Sequence, residues 1–126
     1  MCQMLLSINP EYVESIIEGK KLYEYRKFRC REDVDKIIIY ATAPRKQVVG
    51  EVEIADIIED DLLTVWHQTK EHSGITYNFF RKYYRGKKTA VAYLLKNLLI
   101  YDEPLSLEGI GVSCAPQSYR YISTTV

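Results

Sequence analysis

The stretch EGKKLYEYRK, residues 18–27, gathers Gly19, Lys21, Glu24 and Arg26 around two tyrosines. An ammonium and a guanidinium group only donate hydrogen bonds, and an ionised carboxylate only accepts them. Held on one surface, Lys21 and Arg26 can pair with phosphate or carbonyl oxygens, and Glu24 can accept from a base amino group. A tyrosine ring beside them can stack. Gly19 lets the backbone turn sharply and leaves room for a ligand to approach. The same groups allow a second chemistry, with Lys21 as a base and Glu24 polarising a water. The plain alternative is a solvated hairpin whose Glu24–Arg26 ion pair is worth about 0–1 kcal/mol. Spacing alone favours that alternative.

A second group lies in APQSYRY, residues 115–121. Gln117 offers both a donor and an acceptor, enough to read a base edge, and Ser118 adds a hydroxyl. Tyr119 or Tyr121 could stack. A structural turn, with Pro116 fixing the backbone and Ser118 satisfying a local amide, accounts for these residues equally well. The run NFFRKYYRGKK, residues 78–88, interleaves aromatics with cations, as phosphate-tracking, base-stacking surfaces do. An amphipathic helix that buries Phe79, Phe80, Tyr83 and Tyr84 and solvates Arg81, Lys82, Arg85 and Lys87 explains the aromatics better.

Other reactive residues offer less. His67 and His72 are not at metal-ligand spacing, and Cys2, Cys30 and Cys114 form neither a ligand pair nor a disulfide framework. Neither Cys30 nor Cys114 has a base nearby in sequence. No metal and no cofactor is expected. The last residues, TTV, resemble a ligand for a PDZ groove, but so short a match carries little weight.

The elements that must position these residues are written in caps and stops. MLLSI reads as a strand. In NPEYVESIIEG, Asn9 suits the N-cap, Pro10 the first helical position and Gly19 the left-handed position past the end, which predicts a helix over 10–18. LYEYRKF alternates, which predicts a strand over 22–27 with Tyr23 and Tyr25 on one face and Glu24 and Arg26 on the other. Lys21 then sits at the mouth between helix and strand. REDVD reads as a turn, KIIIYAT as a buried strand, APRKQ as a turn and VVGEVEIADII as the returning strand, with a bulge at Gly50. Two helices follow, one capped by Asp60 or Asp61 and stopped near Gly74, the other capped by Thr76 and stopped by Gly86. The β-branched and aromatic start of TAVAYLLKNLLIY favours strand over helix, broken at YDEPLSL.

Composition bounds the rest. The chain has 126 residues, 47% hydrophobic and 27% charged, so one folded domain over 1–126 is expected, with about 122–126 a frayed tail. Lys and Arg number 17, as do Asp and Glu, which argues against coating nucleic acid by charge alone. Charge is nonetheless segregated. Residues 51–71 are acidic, while every charged residue from Arg81 to Lys96 is basic; the acidic stretch 51–61 fits a solvated strand edge and helix start, or a face that repels nucleic acid. MCQMLLSINP lacks a charged segment before a long apolar run, and AVAYLLKNLLIY is short and carries a lysine. The chain reads as soluble and cytoplasmic, with no membrane partner.

GKKLYEYR also fits G-x-K-x-x-E-x-R, with Gly19, Lys21, Glu24 and Arg26 in the defining positions. Following a short helix after LSINP, this pattern resembles the ASCH domain, a family of the PUA-like superfamily named for homology to a transcriptional coactivator subunit. IIIYATAPRKQVVGEVEI is similar to that family's central hairpin. APQSYRYI resembles a Pro-Gln-Ser-aromatic segment near the C-terminus of many small bacterial members. The resemblance implies an α+β fold, a small mixed PUA-like β-barrel with flanking helices and a cleft for RNA or a nucleotide. Lys21, Glu24 and Arg26 would line that cleft, and Gln117 and Ser118 would join them, with Gly19 and Pro116 structural at the site. Some small members deacetylate acetylcytidine with a lysine, a threonine and a distant glutamate. Here Glu24 stands where that threonine would be, so the activity is not carried over. Other members are reported as ribonucleases. The expectation is an RNA- or nucleotide-binding module with a regulatory role in RNA metabolism or transcription. The rivals are a small hydrolase of a modified nucleoside or RNA, using Lys21 and Glu24, and a regulator that binds a partner protein and has lost the ligand.

Overall fold

Asn9 begins the first helix as its chemistry dictates: its side chain accepts from the Glu11 N–H at 2.9 Å. The structure, a computed structural model, describes residues 2–123. Strand β1 spans Cys2–Ile8, α1 Pro10–Ile17, β2 Tyr23–Arg26, β3 Val34–Ala41 and β4 Gln47–Asp61. Helix α2 covers Leu62–Thr69, α3 Tyr77–Tyr83, then β5 Thr89–Leu105 and β6 Tyr119–Ser123. The six strands form one mixed sheet in the order β2-β5-β4-β3-β1-β6. Strands β1 and β3 run parallel, whereas β1–β6, β2–β5 and β3–β4 are antiparallel. The α+β class and mixed sheet expected from the sequence stand, but the sheet is open and not closed into a barrel.

The chain divides into two compact units, and β4 and β5 each run through both. The first unit comprises 1–14, 30–53 and 97–126. Its described core packs Leu5, Ile38, Tyr40, Val48 and Val112 under Tyr101, Leu107, Ile110 and Ile122. The hairpin of β3 and β4 pairs Ile37 with Val52 and Ile39 with Gly50, then shifts so that Tyr40 faces Val48. The bulge is therefore Val49, next to the glycine expected there. A Cβ on Gly50 would lie 2.5 Å from the Leu99 carbonyl oxygen of β5, so only glycine admits that approach.

The second unit comprises 15–29 and 54–96. Its core stacks Tyr25, Val65, Phe80 and Tyr84 with Ala90 and Ala92, flanked by Trp66 and Tyr83. Rings lock it edge to face: Tyr25 to Phe80 at 5.4 Å and Phe80 to Tyr84 at 4.8 Å. Asp61 caps α2 by accepting from the Thr64 N–H at 3.1 Å, and Thr76 caps α3 by accepting from the Phe79 N–H at 3.1 Å.

Four expectations need correcting. Strand β4 lies inside the sheet, between β5 and β3, and is no sheet edge. Strand β5 continues through Asp102, Glu103 and Pro104, which were expected to break it. Within REDVD the turn gives way to β3 at Val34. Phe79 is exposed; the apolar face of α3 is carried by Phe80, with Tyr84 just past the helix end. Strand β6 reaches Ser123, whereas 124–126, and with them the PDZ-like end, lie outside the described residues. No helix among the described residues is long and apolar enough to cross a membrane.

Candidate ligand site around Lys21, Glu24 and Arg26

The end of α1 aims the site. Gly19 adopts φ +78, its N–H donates to the Ile16 carbonyl at 3.1 Å, and the Lys20 N–H donates to the Ser15 carbonyl at 3.0 Å. These two bonds are the Schellman pair, which reverses the chain and satisfies the last carbonyls. Lys21 emerges from that turn, and the Leu22 N–H is then fixed to the His72 carbonyl at 2.9 Å. Strand β2 pairs with β5 in a register that sets Glu24 opposite Tyr93 and Arg26 opposite Val91. Alternation sends Tyr23 and Tyr25 into the aromatic core and leaves Glu24 and Arg26 together, as expected from the sequence.

Glu24 is clamped by Arg26. Its Oε2 accepts from Nε at 3.0 Å and from an Nη at 2.7 Å. The Lys21 ammonium stands 3.9 Å from the other carboxylate oxygen and donates to the Ser73 carbonyl at 2.8 Å. All three are buried, at 2% exposure for Lys21, 6% for Glu24 and 8% for Arg26. The solvated-hairpin alternative is thereby excluded. Nor does Lys21 sit at an open mouth. The Ser73–Gly74 segment lies directly against it, and a Cβ on Gly74, where φ is +69, would be 2.6 Å from the lysine Cβ.

Burial pulls the Lys21 ammonium below its ordinary range; Glu24 works against that shift and Arg26 adds to it. Its charge also lies 5.0 Å from the Tyr25 ring centroid. Tyr25 donates from its hydroxyl to Thr69 at 2.7 Å, and burial pushes that phenol up to about 12 against the help of Thr69 and Ser73. The Tyr84 hydroxyl donates to the Arg26 carbonyl at 2.7 Å, which pins the strand from below.

One neighbour escaped the sequence reading. Tyr83 is half-buried on α3, and its phenol is pushed up by burial, pulled down by Arg26 and pushed up by Glu24, so it stands in the field of both. The Lys27 ammonium lies 4.7 Å from its ring centroid. In sequence it looked like one more core aromatic.

Gln117, Ser118 and Pro116 belong to the first unit. There the Ser7 hydroxyl donates to the Pro116 carbonyl at 2.7 Å and the Ser7 N–H donates to the Ser118 carbonyl at 3.0 Å. Gln117 is exposed and Ser118 half-buried. Tyr119 and Tyr121 meet edge to face at 5.6 Å. Both histidines are exposed, Cys2 and Cys30 are buried, and Cys114 is exposed. Among the described residues no three His, Cys, Asp or Glu side chains gather to hold a metal.

The family model of the ASCH domain matches residues 6–103. An ASCH domain-containing ribonuclease of Zymomonas mobilis subsp. mobilis is 30% identical over 96 residues, which are 75% of this chain and 65% of that protein. The chain thus spans just under two thirds of that relative. The crystal structure of ASCH from Zymomonas mobilis superposes with a TM-score of 0.86 at 28% identity, covering 96% of this chain and 87% of that one. ATP synthase subunit alpha of Ureaplasma parvum serovar 3 is 24% identical over 120 residues, 94% of this chain but 15% of that protein.

Proposed function

Because the chain belongs to the ASCH domain family, we propose that it is a cytoplasmic RNA- or nucleotide-binding module, one domain over 1–126, acting in RNA metabolism or transcription. The observation that carries this reading is the buried cluster of Lys21, Glu24 and Arg26. Burying three charges is costly, and apolar side chains of similar volume would hold a fold as well or better. A cluster kept at such cost suits recognition: the donors and the acceptor are desolvated and fixed before a ligand arrives. Arg26 takes a phosphate or carbonyl oxygen, Glu24 takes a base amino group, and Tyr83 supplies a ring. Lys21, under Ser73 and Gly74, orients the carboxylate. Gln117 and Ser118 serve as additional ligand contacts, to be tested on their own by Gln117→Ala.

The test is a titration of mononucleotides and short RNA against wild type, Arg26→Ala and Arg26→Lys. Arg26→Ala should weaken binding by about 1.5–3 kcal/mol, the scale of a charge-assisted hydrogen bond. Arg26→Lys keeps the charge, guards against a folding defect and should fall between the two. Unchanged affinity in both variants would sink this reading.

A second reading is supported by the name of the Zymomonas relative, a ribonuclease, and by the desolvated lysine 3.9 Å from a carboxylate. Burial lowers the proton affinity of that lysine, which is the direction a general base needs. RNA cleavage by wild type that disappears in Lys21→Met while the variant stays folded and still binds RNA would favour this hydrolytic reading. Binding without cleavage would leave the binding module.

A further inference from the structure

A second chemistry lies along α3 and the turn after it, where cations rim the apolar residues that the helix buries. A cleft of about 450 Å3 is lined by Leu63, Tyr77, Arg81, Lys82, Arg85 and Lys87, among others, and no carboxylate lines it. That volume lies within the roughly 300–1,000 Å3 of ordinary ligand sites. No Asp or Glu occurs between Glu71 and Asp102. Arg81, Lys82, Arg85 and Lys87 are exposed. Among the described residues, no ion pair joins any of the four to a carboxylate.

Helix stability explains only part of this. Arg81 and Lys82 fall in the last turn of α3, where cations suit the dipole. Arg85 and Lys87 lie beyond the helix, so its dipole does not account for them. The floor is apolar, with Phe80 at 1% and Tyr84 at 0% exposure, whereas Tyr77 on the rim is 38% exposed. Trp66 braces the Tyr77 ring at 5.4 Å, and the Arg81 guanidinium stands 5.9 Å from its centroid. Of the acids just before α2, Glu59 pairs with Arg29, Asp60 accepts from the Asp61 N–H and Asp61 holds the Thr64 cap.

A cation-rimmed groove could take an acidic peptide or a nucleic-acid strand. A braced, exposed ring favours the strand, because every base offers a face to stack on it. We infer that this cleft is a second nucleic-acid contact, in which Arg81, Lys82, Arg85 and Lys87 hold the phosphates of a single-stranded RNA segment and a base packs on Tyr77. None of Lys21, Glu24 and Arg26 lines it, and it does not depend on that cluster binding anything.

The experiment compares wild type with an R81Q/K82Q/R85Q triple variant and with Tyr77→Leu. Each is titrated at two salt concentrations with a mononucleotide and with a single-stranded RNA of about 12 nucleotides, within the usual site sizes of about 4–16. Because each phosphate contact contributes about 0.7 to the salt slope of single-strand binding, the triple variant should lower the slope by about 2 and cost about tenfold or more in affinity at low salt. Tyr77→Leu should weaken long-RNA binding without changing the slope. Mononucleotide binding should be unchanged in both. The inference is overturned if the triple variant keeps wild-type affinity and slope, if wild type binds no RNA, or if polyglutamate occupies the cleft more tightly than RNA does. The two sites fail separately. Arg26→Ala with full mononucleotide affinity removes the cluster alone, and a triple variant with full long-RNA affinity removes the cleft alone.

Discussion

Lys21 and Glu24 occupy one cluster, yet their removal should have unequal consequences for stability. The carboxylate is what lets the two cations stay buried: Arg26 clamps it at 2.7 Å and Lys21 stands 3.9 Å away. Glu24→Gln leaves buried charge uncompensated and should cost about 3–5 kcal/mol. Lys21 is held below its ordinary range by burial, so folding disfavours its charged form. Lys21→Met fills the same space without that penalty and keeps the Glu24–Arg26 clamp. The bond it gives up to the Ser73 carbonyl offsets that gain, so it should be far milder than Glu24→Gln in stability while weakening ligand binding. Urea denaturation of the two variants, beside a nucleotide titration, checks both halves; a Lys21→Met protein as unstable as Glu24→Gln would make the lysine a structural member only. The residue types and their two faces could be read from alternation along residues 22–27. The burial of Lys21 could not, because Ser73 and Gly74, which lie against it, are distant in sequence and carry no chemical signature. Tyr83 was hidden for a related reason: its neighbours on α3 are aromatic too.

Elements announced by caps were legible, and those decided by neighbours were not. Asn9, Gly19, Asp61 and Thr76 each do at a helix end what their side chains allow. Strand β5 is different. Pro104 falls inside it, and Asn97 takes φ +54 in mid-strand while its amide donates to Glu53 at 2.7 Å. Asparagine tolerates that left-handed backbone, but nothing in TAVAYLLKNLLIY marks which residue will adopt it. The same limit applies to Gly50, read as a bulge from one glycine in a strand. The larger demand comes from across the sheet, where the Leu99 carbonyl leaves no room for a side chain. Backbone on the facing strand cannot swing aside as a side-chain tip can. Gly50→Ala should therefore cost about 1–3 kcal/mol, the scale of an overpacked core, although alanine suits a strand at least as well as glycine. An unchanged urea midpoint would mean that β4 and β5 yield freely.

At the scale of the whole molecule, zero net charge conceals sorted charge, and pH acts on the sorted parts one at a time. In the first unit Lys36 and Glu51 pair at 2.6 Å across β3 and β4, and the Tyr101 hydroxyl donates to the same carboxylate at 2.9 Å. The bond from Lys36 holds the Glu51 carboxyl below its ordinary 4.5, and the bond to Glu51 raises the Lys36 ammonium above its ordinary 10.5. The signs follow by linkage. A carboxylate depressed in the folded state lends stability that is fully present above its unfolded value and is lost as pH falls through the folded one. A raised lysine lends stability that is present below its unfolded value and is lost as pH rises through the folded one. The pair therefore supports the fold across the neutral range and withdraws at both ends. Its side chains are part-exposed, so its worth is on the order of 1 kcal/mol. Glu51→Gln should be less stable than wild type by that amount at pH 7, and the two should converge as the medium is acidified below 4.5. Thermal melts across an acid series measure this. A gap that stays constant down to the acid limit would show that Glu51 contributes through packing and its neutral hydrogen bonds, and that the acid sensitivity of the molecule arises from other carboxylates.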